Sequence, residues 1–552
     1  MYVSIAKKKG ANGKIYTSTL LRRSYREGNK VKNETIASLT HCSEEEIRAI
    51  SNALKNRNQP INEHSRAPVA LSESFKSKQG KSVGSIWVIE KLASSLGITE
   101  VLGDSFHARL ALWLIIARII DQGSRLSAVR LGIEYDLVSV LKLQRGFDEN
   151  DLYDTLQWLS DNQNRIEDRL YEKRKSSSPF FFYDVSSTYL EGMDNAFASF
   201  GYNRDNKKRK KQIVFGLLCQ DEGWPVSVEA FRGNTQDTET VDSQLDKIQT
   251  RFKCKKVVIV GDRGMIRPKQ MKAVKDYGFH YITALTMPQM QKLIDSGVIK
   301  FEDFTSNLKS VTKDGVRYIY RKNHERADTT GCQRDERLET VLKHVKTENE
   351  RLREKPNTSV ASAKKRMTNY AKRLCIHEWT VIKTEGRRLY VEVMAEKYAK
   401  KSKYDGFYVW TTDVPEDELT DRKAYERYKD LKYAEDAFRD IKTEYLEIRP
   451  LHVRTEDSTR GHLVVTMLAY MILKALKESW NDLDITVKGG INLLSKICQN
   501  TMEFTSGAKV DYIPEPGDQA LQLLERLKLS LPATIHRVHA PVVTRKKVRA
   551  SA

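Results

Sequence analysis

The sequence predicts an α/β protein centred on a mixed sheet. Three observations carry that expectation. Between residues 178 and 285, strand and helix character follow in the order strand, hairpin, helix, strand, helix, strand. Two of those strands are apolar runs ending in an acid, FFFYD at Asp184 and VVIVGD at Asp262, the pattern of buried strands whose last residue emerges at an edge. Residues 86–175, ahead of them, keep a helical period throughout.

At 552 residues the chain is long enough for about three or four domains with cores of their own. Lys and Arg outnumber Asp and Glu by 94 to 73, a net charge of +21. A folded protein with that surplus faces a polyanion, and nucleic acid leads the candidates. The cysteines at 42, 219, 254, 332, 375 and 498 form no C-x-x-C pair, which argues for a reducing compartment and against disulfides or structural zinc. The opening MYVSIAKKKG has no apolar signal core, and the apolar stretches 110–120 and 463–473 fall short of the roughly 20 residues a membrane span needs. The expectation is a cytoplasmic protein with no membrane partner.

Taken in order, residues 1–40 alternate in short β-like runs separated by KKKGANGK and REGNK. They serve either as a DNA-contacting arm or as a plain meander with solvated lysines. Residues 55–85 are rich in Asn, Ser, Pro, Lys and Gly and read as a linker. IWVIEKLASSLG and HARLALWLIIARIID mark the helical region that follows. After the Asp184 strand come five consecutive cations, Lys207, Lys208, Arg209, Lys210 and Lys211, then a hairpin of QIVFGLLC and VSVEAF around a DEGWP turn. The cations fit either a DNA backbone or a hairpin loop. RGNTQD, from Arg232 to Asp237, reads as a turn leading into a helix N-cap. The Asp262 strand, a helix opened by Pro268 and the strand FHYITAL complete this part. Residues 286–405 break the rhythm with VRYIYR, a charged helix predicted over 334–355, a second basic helix, and strands at WTVIK and LYVEVM. FYVWTT resumes the sheet, a helix is predicted over 428–442 and an apolar one over 459–480, and the chain ends in a basic tail at 545–549.

The predicted helix YKDLKYAEDAFRDIK gathers Glu435, Arg439 and Lys442 on one face, with Tyr428 two turns earlier. By itself such a face is an ordinary surface ion pair. Asp184, Asp262 and Glu435 together suggest more, because carboxylates clustered at strand ends need neutralising. Two Mg²⁺ ions, for which Mn²⁺ can substitute, are the usual solution where phosphoryl groups are transferred. Arg439 and Lys442 would then hold phosphates beside the scissile bond.

The segments FFFYDVSSTYLEG, GYNRDNKKRKKQIVFGLL, EAFRGNTQDTET, VVIVGDRGM and YAEDAFRDIKTEYLEIRPLHVRT resemble bacterial insertion-sequence DDE transposases of the group whose core is split by an insertion domain. The likeness covers most of 178–285 and 405–475, and more loosely 1–40. It implies a ribonuclease-H-like catalytic fold, two Mg²⁺ ions, cut-and-paste transposition through a DNA hairpin, and Asp184, Asp262 and Glu435 as the catalytic, metal-binding triad. The group's signature runs Tyr, two residues, Arg, three residues, Glu, six residues, Lys. Tyr428, Glu435 and Lys442 match it, while Leu431 stands at the arginine position, with Lys432 beside it and Arg439 one turn after the glutamate. Hairpin-forming members also hold a flipped base on an aromatic ring, for which Phe407, Tyr408 and Trp410 are candidates against ordinary strand packing.

The expected organisation is a basic β-module at 1–54, a linker at 55–85, a helical and DNA-binding domain at 86–177, a catalytic core in two parts at 178–285 and 406–480 around an insertion at 286–405, and a helical region with a basic tail at 481–552. The expected partners are double-stranded DNA, both transposon ends and target, and a second copy of the chain, since each end needs its own active site. A structure-selective nuclease or resolvase of the same fold would use the same acids. A domesticated DNA-binding regulator would keep the basic surface.

Overall fold

The structure is a computed structural model that describes residues 1–9, 15–28, 30–55, 75–192, 194–202, 204–205, 207, 209–443, 445–505 and 507–544. The expected linker, over 56–74, and the basic tail lie outside these residues. The chain divides into two compact units, residues 1–76 with 504–508, and residues 77–503 with 509–552.

In the first unit β1 (Tyr2–Lys9), β2 (Ile15–Glu27) and β3 (Lys30–Ser38) form an antiparallel sheet in the order β1-β2-β3. Gly28, at φ +59°, makes the tight reversal that pairs Glu27 with Lys30. β3 is exposed along its whole length. The helix Glu44–Lys55 follows. A short strand, β4 (Phe75–Lys78), lies where the chain passes between the units.

The second unit begins with helices that include Gly84–Ser95, Phe106–Ile120, Arg125–Glu134, Glu149–Asp161 and Gln163–Lys173. Their starts are set locally: the Ser105 hydroxyl accepts from the Ala108 N–H at 3.2 Å, and Asp148 and Asp151 form a capping box. The strands β5 (Phe180–Tyr189), β6 (Gln212–Cys219), β7 (Pro225–Arg232), β8 (Val258–Gly261), β9 (His280–Ala284), β10 (Lys309–Lys313), β11 (Val316–Lys322) and, after a separate hairpin of β12 (Thr380–Glu385) and β13 (Arg388–Val393), β14 (Phe407–Thr412) complete the count needed for the main sheet. Its order is β10-β11-β14-β9-β8-β5-β6-β7. β8 runs parallel to both β5 and β9, and the other neighbours are antiparallel. The five strands from β7 to β9 have the mixed, ribonuclease-H-like arrangement that the sequence led one to expect.

Both faces of this sheet are covered. On one, Phe182, Phe215 and Leu217 share a core with the helices Lys432–Lys442 and Glu456–Ser479 and with the helical region, including Trp113 and Leu156. On the other, Phe181, Tyr183 and Ile259 pack with Leu245, Ile248 and Val274. Gly461 lets two helices approach closely: a Cβ there would stand 2.1 Å from the Leu156 carbonyl oxygen. The region 86–177, set apart in the sequence as a domain of its own, thus continues the hydrophobic core of the main sheet.

Two expectations for 286–405 differ from the structure. β10 and β11 are strands of the main sheet, with Ile319 opposite Trp410, so the excursion leaves the sheet only after Lys322. The long helix spans His324–Glu354 and so starts ten residues before the predicted Arg334; the Asn323 side chain accepts from the Arg326 N–H at 3.0 Å and fixes that start. HERADTTGCQ has no apolar period to announce a helix, which is why the sequence hides it. This helix, the helix Val360–Arg373 and the β12–β13 hairpin enclose a small core of their own around Val341, Val345, Trp379 and Leu389. Among the described residues no helix is long and apolar enough to cross a membrane.

Candidate active site

The period of β5 places its acid. Phe181, Tyr183 and Val185 point into one core, and Phe182 points into the other, so Asp184 shares the face of Phe182, beneath the helix Lys432–Lys442. In the parallel ladder Tyr183 stands opposite Gly261, which sets Asp184 on β5 beside Asp262 immediately after β8. The turn after β8 is anchored by the Asp262 carbonyl, which accepts the N–H groups of Met265 and Ile266, each at 3.0 Å. Glu435 is exposed on the helix Lys432–Lys442, whose apolar side is pinned to the sheet by Phe438 with its ring edge-on to Phe215 at 5.3 Å.

The charges register this convergence. Burial pushes the Asp184 carboxyl up to about 7, with Asp262 and Glu435 adding to the rise and the Val185 N–H and Arg204 opposing it. Burial also raises the Tyr428 phenol; Asp262, Glu435 and Asp184 reinforce that shift while Arg263 opposes it. Tyr428 and the three acids therefore lie within electrostatic reach of one another.

As placed, no three His, Cys, Asp or Glu side chains among the described residues close into one ready-made metal group. The Oδ1 atoms of Asp184 and Asp262 instead accept backbone N–H groups, from Val185 at 2.8 Å and Arg263 at 2.7 Å. The backbone placement is the decisive observation, because carboxylate rotamers turn easily whereas strand register does not. Hard oxygen donors crowded into mutual repulsion suit a divalent oxygen-seeking cation.

The other predicted residues separate into groups. The predicted helix over 428–442 is two helices, Asp421–Lys429 and Lys432–Lys442. Between them the chain tightens: the N–H of Leu431 bonds to the Tyr428 carbonyl at 3.2 Å and that of Ala434 to the Leu431 carbonyl at 3.0 Å. Leu431, in the signature's arginine position, is a core residue only 5% exposed. Lys442 points to Asp205, Nζ to Oδ1 at 3.3 Å, and the same oxygen receives Arg449 Nη1 at 2.6 Å. Burial draws the Lys442 ammonium below its ordinary range, with Asp205 opposing. Arg439 pairs with Asp436 at 2.7 Å on the exposed helix face, its side chain 67% exposed.

Of the aromatic candidates, Phe407 is buried and stacks on Phe304 at 4.3 Å. Trp410 is buried against Tyr425 at 4.8 Å, with Tyr428 at 6.2 Å. Tyr408 is exposed, stacked on Trp410 at 5.9 Å. In the basic run, Lys207, Arg209 and Lys210 are exposed and Lys211 half-buried; Lys207 lies over the Tyr189 ring at 5.6 Å and Lys210 pairs with Glu191 at 2.7 Å. Lys208 lies outside the described residues.

The sequence reading passed over Arg204, Arg263 and Arg449. All three lie inside the quoted motifs, Arg263 directly after Asp262, and that placement was the available clue. The turn reading of RGNTQD matches the backbone: the Thr235 N–H bonds to the Arg232 carbonyl at 2.9 Å, and Gln236 with Glu239 forms a capping box.

Comparison with known proteins adds two family matches. The model for the transposase DDE domain matches residues 176–472, and that for the IS1634 family transposase N-terminal domain matches residues 3–68. No curated protein matches. Among solved structures, a piggyBac transposase synaptic complex with hairpin DNA, seen by cryo-EM, is similar at 8% identity over 71% of this chain and 70% of that one, with a TM-score of 0.36.

Proposed function

The chain belongs to the DDE-domain transposases, and we propose that it moves its own insertion sequence by binding the terminal inverted repeats, cutting both strands at each end and joining the freed 3′-ends to target DNA. DDE transposases use divalent metal ions. Asp184, Asp262 and Glu435 would hold two of them, Mg²⁺ in our reading with Mn²⁺ able to substitute. When bound, the ions lower the pKa of the attacking hydroxyl and offset charge on the leaving oxygen.

The residues do the remaining work. Water attacks the phosphodiester at the 3′-end and leaves a 3′-hydroxyl and a 5′-phosphate. That hydroxyl attacks the opposite strand to close a hairpin, expelling the flanking DNA as a 3′-hydroxyl; a second water cleaves the hairpin phosphodiester, restoring the 3′-hydroxyl and leaving a 5′-phosphate, and the restored hydroxyl finally displaces a 3′-oxygen of the target. Tyr428, whose phenol keeps its proton, donates to a phosphate oxygen. Arg263 supplies the cation that Leu431 cannot, while Lys442 and Arg439 hold flanking phosphates. Lys207, Lys208, Arg209, Lys210 and Lys211 track the backbone. Tyr408 offers the open ring for a flipped base, since Phe407 and Trp410 are committed to packing. A homodimer brings the two ends together.

The carrying observation is the parallel pairing of Tyr183 with Gly261, the residues that directly precede Asp184 and Asp262, under the helix of Glu435. The test uses end-labelled transposon DNA with Mg²⁺, scored for hairpin and joined products. Asp184→Asn is expected to lower cleavage about a thousandfold or more, the rate equivalent of losing roughly 4 kcal/mol, with end binding retained. Undiminished cleavage overturns the assignment.

A further inference from the structure

Two arginines lie inside the core that the helical region shares with the helix Glu456–Ser479. Arg118, in the last turn of the helix Phe106–Ile120, and Arg125, the first residue of the helix Arg125–Glu134, are each only 8% exposed. Together with His462 of the helix Glu456–Ser479, itself 4% exposed, they line a small cavity of about 20 Å³ whose wall also holds Asp121 and Ser124.

A buried guanidinium ordinarily carries a carboxylate with it, because an uncompensated buried charge is costly. Neither of these does so among the described residues. Arg118 donates from Nη1 to the carbonyls of Gln122, at 2.7 Å, and Leu446, at 3.4 Å, and Arg125 reaches His462 Nδ1, 3.3 Å from its Nη1. Asp121 and Glu447 act on Arg118 from farther off, and Asp121 Oδ2 accepts a hydrogen bond from the Ser127 hydroxyl instead.

The charges in this cavity are therefore of one sign. Burial, reinforced by Arg125, draws the Arg118 guanidinium down to about 9, still protonated at neutral pH, and burial likewise lowers Arg125. Burial and the same two arginines hold His462 far below its ordinary range, so its ring is neutral. Its Nδ1 accepts from Arg125, which leaves the ring proton on Nε2 as a further donor. Ser124 caps the helix Arg125–Glu134, whose N-terminus adds partial positive charge to the same wall.

A space of this size holds one water-sized particle. Water accepts hydrogen bonds there without neutralising either guanidinium, whereas a monatomic anion does both. We infer that this cavity binds one halide ion, chloride being the common one, between Arg118, Arg125 and His462, and that the ion joins the helices Phe106–Ile120 and Arg125–Glu134 to the helix Glu456–Ser479. Arg118 also holds the Leu446 carbonyl, just beyond the helix Lys432–Lys442, so the ion steadies the segment that follows Glu435's helix. The inference is independent of the transposase reading.

The test is the thermal melt of the full chain with chloride raised from about 1 to about 100 mM, in exchange for gluconate so that ionic strength stays fixed. Tm is expected to rise by about 3 °C across that range, from mass action on a unit of this size. Arg125→Met is expected to remove the dependence. Asp121→Asn, which takes a carboxylate off the cavity wall, is expected to shift the dependence to chloride concentrations about threefold lower or more, and it decides the matter if Arg125→Met fails to fold. A parent Tm indifferent to the exchange, an undiminished dependence in Arg125→Met, or an unshifted one in Asp121→Asn would each overturn the proposal.

Discussion

Asp184 is held at the boundary between two environments. It is half-buried beneath a helix and shares that space with Asp262 and Glu435, so burial and like charge both resist its ionisation, to about 7. In the metal-free protein the folded state consequently binds more protons than the unfolded chain between the ordinary carboxylate range and about 7, and stability falls as pH rises through that window. Thermal melts in EDTA should show the Tm of Asp184→Asn gaining on that of the parent protein between pH 5 and pH 8, a comparison in which the opposite contribution of buried His462 cancels; a Tm difference independent of pH would contradict the assignment. At this scale the sequence was partly legible. An acid after an apolar run marked Asp184 and Asp262, but only Asp262 follows the end of its strand; β5 runs on to Tyr189 with Asp184 opposite Leu217, because the polar VSSTY that follows still alternates and pairs with β6. Leu431 was legible as a departure from the signature, but not that it fills a core position, and Arg263 was hidden because only the fold brings it to Tyr428.

The helix Lys432–Lys442 is the element that positions the third acid. Its buried side, Ala434, Ala437, Phe438 and Ile441, seats it on the sheet, and Glu435 lies on its exposed surface. Phe438→Ala is expected to cost about 3–5 kcal/mol by opening a cavity at Phe215. It should lower Tm and reduce cleavage together, whereas a loss of cleavage with unchanged Tm would show that the helix is held by something else. The sequence announced this helix through its strong amphipathic period, yet joined it to its predecessor, since the tightened turn at Leu431 uses ordinary helical backbone angles and no Gly or Pro. β10 and β11 were unreadable as members of the main sheet for another reason. Their partner β14 returns about 90 residues later, and a strand's period says which face is buried but not which strand lies beside it.

Across the whole molecule, the helical region and the sheet are one structure. Trp113, Leu156, Phe215 and Leu468 belong to a single core, and the apolar helix Glu456–Ser479 runs between them. A fragment of residues 178–480 is therefore expected not to fold: it should lack the cooperative melt and protease resistance of residues 77–544, and a cooperative transition in the fragment would refute the shared core. Sequence composition suggested a boundary near 177 because the period changes there from helical to extended. A change of secondary structure is not a change of core, and only packing distinguishes them.

The lateral pairing of β5 with β8 has one more implication. A slip of one residue in either strand would turn its acid to the other face, so there is no continuous path of slightly altered spacings between Asp184 and Asp262. The alignment behaves as a digital setting, kept or lost. Graded adjustment of activity must then come from side chains outside the ladder, Arg263, Arg204 and Arg449 above all, while remote substitutions that loosen the sheet should abolish activity outright instead of tuning it.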